Sequence, residues 1–153
     1  LEPTNLALNI ELKNSIYPMY GLEHKCVDLT KQFRKNHRVI FSSFNHQSMA
    51  TLLEIDGDLE VAPLYDSAEQ VDPFLYAGIG FQALHPHWTV LRDMDYVQRS
   101  KAAGLKLHPW TVDRSHELRR IFDAEPDAII TNVPFEMRLM LQKLQAEQSS
   151  EED

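Results

Sequence analysis

The residues whose types and spacing could do chemistry lie near the start of the chain. In Leu6–Lys13 apolar residues occupy every second position, and Asn9, Glu11 and Lys13 lie between them. Alternation with a period of two is typical of a β-strand with one apolar and one polar face. A carboxylate and an ammonium on the same face can bind a metal ion and an anion. The pattern is equally typical of an exposed edge strand with solvated side chains, so both interpretations stay open.

Other reactive side chains are less clearly arranged for chemistry. His85, His87 and His108 lie at predicted strand ends, but no Cys or carboxylate partner gives them the spacing of metal ligands. Hydrogen-bonded structural roles therefore fit these histidines better. Cys26 lies on the apolar face of a predicted helix, where we expect an inert buried thiol.

The elements that must position these residues alternate along the chain. Stretches with helical periodicity separate the β-type runs, and the weakest predicted helix is Ser67–Gly78, where Pro73 interrupts the pattern. The predicted strands are Leu6–Lys13, Val39–Phe44, Leu59–Tyr65, Ile79–His85, Leu105–Val112 and Ala128–Asn132.

Alternating strands and helices favour a parallel sheet covered by helices. An open doubly wound sheet would suit this order, but no Gly-rich phosphate-binding loop follows any predicted strand. About six strand–helix units are too few for an eight-unit barrel of about 250 residues. We therefore predict an α/β fold, an incomplete (β/α)8 TIM barrel at residues 1–144, with an acidic, disordered tail at 145–153. In a barrel, Glu11 and Lys13 point inward near the carboxyl end of their strand, where barrel enzymes have their active sites.

Composition excludes several classes of protein. The 153 residues include 43% hydrophobic and 25% charged residues, as in a folded domain, and no apolar run is long enough to span a bilayer. A net charge of −8 argues against a nucleic-acid-binding protein. The single cysteine cannot form an internal disulfide, which favours a reducing compartment and a cytoplasmic location.

Four segments carry motifs that can be compared with known families. They are Leu8–Lys13 (N-I-E-x-K), Val39–Asn45 (V-I-x-S-S-F), Trp110–Asp113 (W-T-V-D) and Asp127–Pro134 (D-x-I-I-T-N-x-P). In this order they resemble the glycerophosphodiester phosphodiesterase family, and the resemblance extends from about Leu6 to Leu144.

The resemblance implies a barrel enzyme that hydrolyses a small-molecule glycerophosphodiester to an alcohol and glycerol 3-phosphate, with roles in lipid and glycerol metabolism. It implies that Glu11 is a carboxylate ligand of a divalent metal, Mg²⁺ or Ca²⁺. Lys13 corresponds to a catalytic and substrate-binding cation beside the phosphate. Phe44 and Trp110 correspond to aromatic residues at the barrel mouth that pack against the glycerol side of the substrate. Ser43 is expected to support the strand end.

The chain matches only the later part of the family's pattern. The opening H-R-G and E-N-T segment, the E-x-D strand and the H-D that follows it are absent from these residues. We therefore expect the 153-residue chain alone to be inactive and able to self-associate through its open barrel edges. Two alternatives remain: a truncated, non-catalytic barrel that acts as a binding or scaffolding module, and a related phosphodiesterase that acts on lysophospholipids.

Overall fold

Strands and helices alternate in the computed structural model, which describes residues 5–17, 19–33 and 38–151. The strands are β1 (Leu8–Glu11), β2 (Val39–Ser43), β3 (Glu60–Tyr65), β4 (Ala83–Pro86) and β5 (Lys106–Leu107). The α-helices are α1 (Leu22–Gln32), α2 (His46–Ile55), α3 (Pro73–Ile79), α4 (Met94–Ala102), α5 (Ser115–Ile121) and α6 (Pro134–Glu151). Short 3₁₀ helices cover Ala68–Gln70, Trp88–Arg92 and Phe122–Ala124. Within the described part of the chain, no helix is long and apolar enough to cross a membrane.

The five strands of the described chain form one sheet in sequential order, and every neighbouring pair is parallel. Glu11 lies opposite Ser42, and Leu64 lies opposite His85. Parallel strands in sequential order, each followed by a helix, are the arrangement of a (β/α)8 barrel. The predicted α/β fold and the incomplete barrel are therefore confirmed.

The predicted sixth strand, Ala128–Asn132, is extended chain rather than a regular strand. It is still hydrogen-bonded to the segment that directly follows β5. Ile130 N donates to Pro109 O at 2.9 Å, and Val112 N donates to Ile130 O at 3.0 Å. The regular part of β5 is shorter than the predicted strand Leu105–Val112, because Pro109 has no N–H to donate to a strand ladder. Pairing nevertheless continues beyond it, with His87 and Trp110 in a parallel bridge.

Helices α3 and α6 differ in their boundaries from the sequence prediction. Pro73 is the first residue of α3 rather than an interruption, because Asp72 caps the helix by accepting from Leu75 N at 3.0 Å. Ile79, predicted as the start of a strand, is the last residue of this helix. Helix α6 continues beyond the predicted domain boundary at residue 144 and ends at Glu151, while residues 152–153 lie outside the described residues.

The core lies between the sheet and the helices. Each of β2 to β5 contributes a fully buried residue to it, namely Phe41, Val61, Leu84 and Leu107. The opposite side of the same strands is more polar, since it carries Ser42, Glu60, His85 and Lys106 together with Ile40, Ala62, Leu64 and Ala83. Thus the apolar strand face holds the helices, and the more polar face is left for the inside of the barrel.

The edge of the sheet at β1 is open. Leu8 is 45% exposed, although the alternation predicted a position covered by helices. A wholly apolar cavity of about 480 Å³ lies between β1 and α1. We name it the β1–α1 groove. Its apolar lining includes Leu8, Ile10, Leu22, Cys26, Leu29 and Phe33. The Cys26 thiol lies there partly buried, with its pKa raised mainly by burial, as expected for an inert thiol.

We expect Leu84→Ala to lower the free energy of unfolding by about 2–5 kcal/mol, because it leaves a cavity under the helices. Leu139→Ala is the matched control: Leu139 is 52% exposed on α6, and its loss should cost less than about 1 kcal/mol. Urea unfolding of the chain followed by circular dichroism measures both values. Equal costs would contradict the assignment of Leu84 to the core.

Candidate active site

Glu11 and Lys13 lie at the carboxyl end of β1. The Lys13 Nζ is 3.2 Å from Glu11 Oε1, and the side chains are 79% and 34% exposed, respectively. An ion pair this exposed contributes about 0–1 kcal/mol to stability, so it does not hold the strand in place. Both charged groups therefore remain available to a ligand.

The backbone that carries this pair is fixed to β2. Leu12 N donates to Ser42 O at 2.8 Å, and the buried Ser43 hydroxyl donates to Leu12 O at 2.6 Å. The Ser43 oxygen also accepts from Asn45 N at 2.9 Å. Ser43 thus supports the strand end, as the sequence indicated. The backbone of Lys13 is therefore positioned by the hydrogen bonds of the preceding residue, Leu12.

Asn14 is a second support, which sequence reasoning missed. It is only 5% exposed, and its amide donates to Ser48 Oγ at 2.9 Å and to Glu23 Oε1 at 3.1 Å. Asn45, which caps α2 by accepting from Ser48 N, also donates to Asn14 O at 3.4 Å. Asn14 therefore joins the end of β1 to helices α1 and α2. The signal for it was weak, being one polar residue after the alternating strand.

An aromatic cluster lies at the carboxyl ends of the other strands. The ring centroids of Phe44 and Trp110 are 5.4 Å apart in edge contact, and those of His87 and Trp110 are 5.1 Å apart. The Trp110 indole donates to His85 O at 2.7 Å, which fixes its orientation. We name Phe44, His87 and Trp110 the mouth cluster. Phe44 and Trp110, which were predicted separately, are therefore in direct contact.

The predicted site residues form two groups. Glu11 pairs with Lys13, and Phe44 packs on Trp110, but no hydrogen bond or ring contact between described residues joins the two pairs. Their link is the backbone, since Phe44 directly follows Ser43, whose hydroxyl holds Leu12. Both groups lie at the carboxyl ends of parallel strands, and therefore at the same edge of the sheet.

Two histidines lie on the inner side of the sheet. His85 Nε2 is 3.1 Å from His108 Nδ1, and His85 is 1% exposed. Burial, with a smaller contribution from the charge of His108, lowers the pKa of His85 to about 3. Burial also lowers the pKa of His108, although the carboxylates of Asp127 and Glu60 oppose this change. Both imidazoles are therefore neutral at pH 7, and the structural role expected from the sequence fits them.

Asp113, the last residue of the W-T-V-D motif, binds the end of the extended segment Ala128–Asn132. Its carboxylate accepts from Asn132 N and Asn132 Nδ2, both at 2.8 Å, and from Thr131 Oγ1 at 3.0 Å. The hydrogen bond from the Asn132 side chain is the main cause of the lowered pKa of Asp113. The hydrogen-bonding groups of Asp113 and Asn132 are thus paired with each other, which indicates a structural role for both residues.

The described residues do not by themselves complete a metal site. Glu11 offers a hard carboxylate, the ligand type that Mg²⁺ and Ca²⁺ prefer. However, no group of three or more His, Cys, Asp or Glu side chains in the described part of the chain could hold a metal ion. The chemistry of Glu11 fits a divalent cation, but the other ligands would have to come from outside these residues.

Comparison with known proteins identifies related sequences. Residues 2–136 match the model of the glycerophosphoryl diester phosphodiesterase family. A glycerophosphodiester phosphodiesterase of Caldanaerobacter subterraneus subsp. tengcongensis is 35% identical over 129 residues, which cover 83% of this chain and 52% of that protein. The chain spans about half the length of the curated relatives it matches.

Solved structures show the same fold. A glycerophosphodiester phosphodiesterase from Parabacteroides distasonis superposes with a TM-score of 0.82 at 26% identity, covering 93% of this chain and 60% of that one. An Oleispira antarctica phosphodiesterase in complex with its product sn-glycerol-3-phosphate has a TM-score of 0.71 at 21% identity, covering 89% of this chain and 55% of that one.

The buried His85–His108 pair makes the stability of the chain depend on pH. An unfolded histidine has a pKa of about 6.5, whereas that of folded His85 is about 3. Between these values the unfolded state binds more protons, so stability is complete above pH 6.5 and declines as the pH falls. Between pH 7 and pH 5 we expect His85 to account for a loss of about 2 kcal/mol in the free energy of unfolding.

Urea unfolding at the two pH values measures this loss. His85→Leu removes the titrating group and should flatten the pH dependence, whatever its effect on stability at pH 7. His116→Leu is the control, because His116 lies exposed on α5 and should leave the slope unchanged. If the stability of His85→Leu depended on pH as strongly as that of the parent chain, the lowered pKa of His85 would not be the cause.

Proposed function

The chain belongs to the glycerophosphoryl diester phosphodiesterase family, and we propose that the intact protein hydrolyses glycerophosphodiesters to an alcohol and glycerol 3-phosphate. One observation carries the proposal for this chain's own residues. The Glu11–Lys13 pair and the mouth cluster both lie at the carboxyl ends of parallel strands, where barrel enzymes bind their substrates.

Lys13 is the residue that binds the phosphate in this proposal. Its side chain is 79% exposed, so its ammonium can leave Glu11 for a phosphate oxygen at little cost. Its backbone is nevertheless held by the bonds of Leu12 to Ser42 and Ser43. A positive charge carried at this held strand end stabilises the negative charge that increases on the phosphoryl oxygens in the transition state.

Phe44 and Trp110 bind the glycerol side of the substrate. Their edge-to-face contact presents an apolar surface beside polar groups, which suits the carbon chain of a polyol. Trp110 is held by its bond to His85 O, so this surface exists before the substrate binds. The Oleispira antarctica phosphodiesterase bound to sn-glycerol-3-phosphate supports this type of ligand.

Glu11 is one ligand of a divalent metal, Mg²⁺ or Ca²⁺, whose remaining ligands lie outside the described residues. When bound, such an ion would polarise a phosphate oxygen. Within this chain Glu11 has a second effect: it keeps the Lys13 ammonium near the strand end until an anion replaces the carboxylate. The single free thiol, Cys26, supports a reducing, cytoplasmic location.

The remaining strands of the barrel would cover the β1–α1 groove in the intact protein. In the isolated chain, the exposed edge of β1 and the exposed Leu8 favour self-association. The alternative function is a non-catalytic binding module. It is favoured by one observation, the lack of a cluster of metal-binding side chains among the described residues.

We expect the 153-residue chain alone not to hydrolyse glycerophosphocholine, since one carboxylate cannot hold a hard dication. The intact protein should hydrolyse it in the presence of Mg²⁺ or Ca²⁺. Release of glycerol 3-phosphate, measured with a coupled dehydrogenase, tests both expectations. Turnover by the isolated chain above that of its Glu11→Ala variant would contradict the first, and an inactive intact protein would favour the binding module.

Lys13→Met in the intact protein should lower kcat/KM by about 100-fold or more, because it deletes a charge that stabilises the transition state. Metal affinity, measured by calorimetry, should change little in this variant and should fall in Glu11→Gln. Lys143→Met is the matched control, since Lys143 is 66% exposed on α6. If kcat/KM of Lys13→Met stayed within a few-fold of the parent value, Lys13 would have no role in catalysis.

A further inference from the structure

His87 is held more firmly than a surface histidine requires. Its N–H donates to Tyr65 O at 2.8 Å, and its backbone forms a parallel bridge with Trp110. Its imidazole packs against Trp110 at 5.1 Å and against Trp88 at 5.8 Å between ring centroids. One ring nitrogen, Nδ1, lies 2.7 Å from Thr89 Oγ1. The ring is therefore fixed in position before any ligand arrives.

The other ring nitrogen is left for a ligand. Nε2 of His87 has no hydrogen-bond partner among the described residues, and the side chain is only partly buried. If Thr89 donates to Nδ1, Nε2 carries the proton and donates; if Thr89 accepts, Nε2 is an acceptor. A hydroxyl group can bond to either form. A dianionic phosphate oxygen can only accept, so it fits one tautomer alone.

His87 also lies in the right place for a hydroxyl of the substrate. It contacts Trp110, which packs on Phe44, so it belongs to the glycerol side of the site. Lys13 follows β1 and His87 follows β4, three strand positions away, or about 14 Å along the curved sheet. This strand separation is comparable with the length of an extended glycerophosphate, so one ligand could contact both residues.

We infer that His87 is a specificity-determining residue whose Nε2 hydrogen-bonds to a glycerol hydroxyl of the ligand. Thr89 is the positioning residue that holds the ring through its contact with Nδ1. This inference rests on the proposed function, because it takes the phosphate to be bound at Lys13. It assigns to the mouth cluster a polar contact that distinguishes glycerol from an alkyl group, which Phe44 and Trp110 cannot do alone.

Binding of sn-glycerol 3-phosphate and of methyl phosphate to the intact protein tests the inference. The two probes carry the same phosphomonoester, and only the first has hydroxyl groups. Calorimetry in the presence of Mg²⁺ gives both dissociation constants and needs no turnover. The parent protein should bind sn-glycerol 3-phosphate more tightly than methyl phosphate.

His87→Phe keeps an aromatic ring against Trp110 and removes both ring nitrogens. It should weaken binding of sn-glycerol 3-phosphate about five- to tenfold, as expected for one lost hydrogen bond, and change methyl phosphate binding less than about twofold. Thr89→Val should weaken binding of sn-glycerol 3-phosphate to a smaller extent, because the His87 ring loses its contact with the Thr89 hydroxyl. An equal loss for both probes, or a parent protein without preference, would overturn the inference.

Two further variants keep the result decisive. His87→Gln retains a hydrogen-bonding group and should preserve part of the preference for sn-glycerol 3-phosphate, even if the Phe variant folds poorly. His116→Phe makes the same substitution on the exposed surface of α5 and should leave both affinities unchanged. Hydrolysis of glycerophosphocholine is measured in parallel: absence of turnover in the parent rejects the proposed function, whereas the comparison of the two probes decides the role of His87 separately.

Discussion

The pairing of β1 with β2 is the constraint on which the candidate site depends. Within the described chain, β1 has a strand neighbour on one side only, so its position is set by its bonds to β2 and by the polar residues at its end. The bond from Ser43 to Leu12 O is the critical one, because it lies between Glu11 and Lys13. Asn14 then joins the same segment to α1 and α2. The charged pair itself contributes little to this arrangement, and it can therefore respond to a ligand.

The alternation of residue types was sufficient to predict the class of fold and the polar face of β1. A period of two tells which side a residue faces, and parallel strands place their carboxyl ends at one edge. It does not tell which side chains meet. The contacts of Asn14 with Ser48 and of His87 with Thr89 depend on where α2 and the 3₁₀ helix Trp88–Arg92 are placed, which the alternation does not determine. Pro73 was misread for a similar reason: its effect depends on whether it begins a helix or interrupts one.

Under the proposed function, the described residues form only part of an active site. The described residues hold an exposed ammonium beside one carboxylate and an aromatic surface with an imidazole beside it, but no cluster of three or more metal-binding side chains. In the same proposal, strands and ligands from outside the described residues would cover the apolar β1–α1 groove and complete the metal site at Glu11. The geometry within the chain is nevertheless formed in advance, because buried polar groups rather than the ligand hold it.

Helix α6 determines how the molecule can be attached to a support. It starts at Pro134, directly after the segment that Asp113 fixes at the mouth, and its 18 residues extend about 27 Å. A helix that starts at the carboxyl ends of the strands and packs beside the sheet must end near their amino ends. A linker joined after this helix would therefore leave from the face opposite the mouth. Immobilisation through that end would orient the molecules uniformly, with their binding surfaces turned towards the solution.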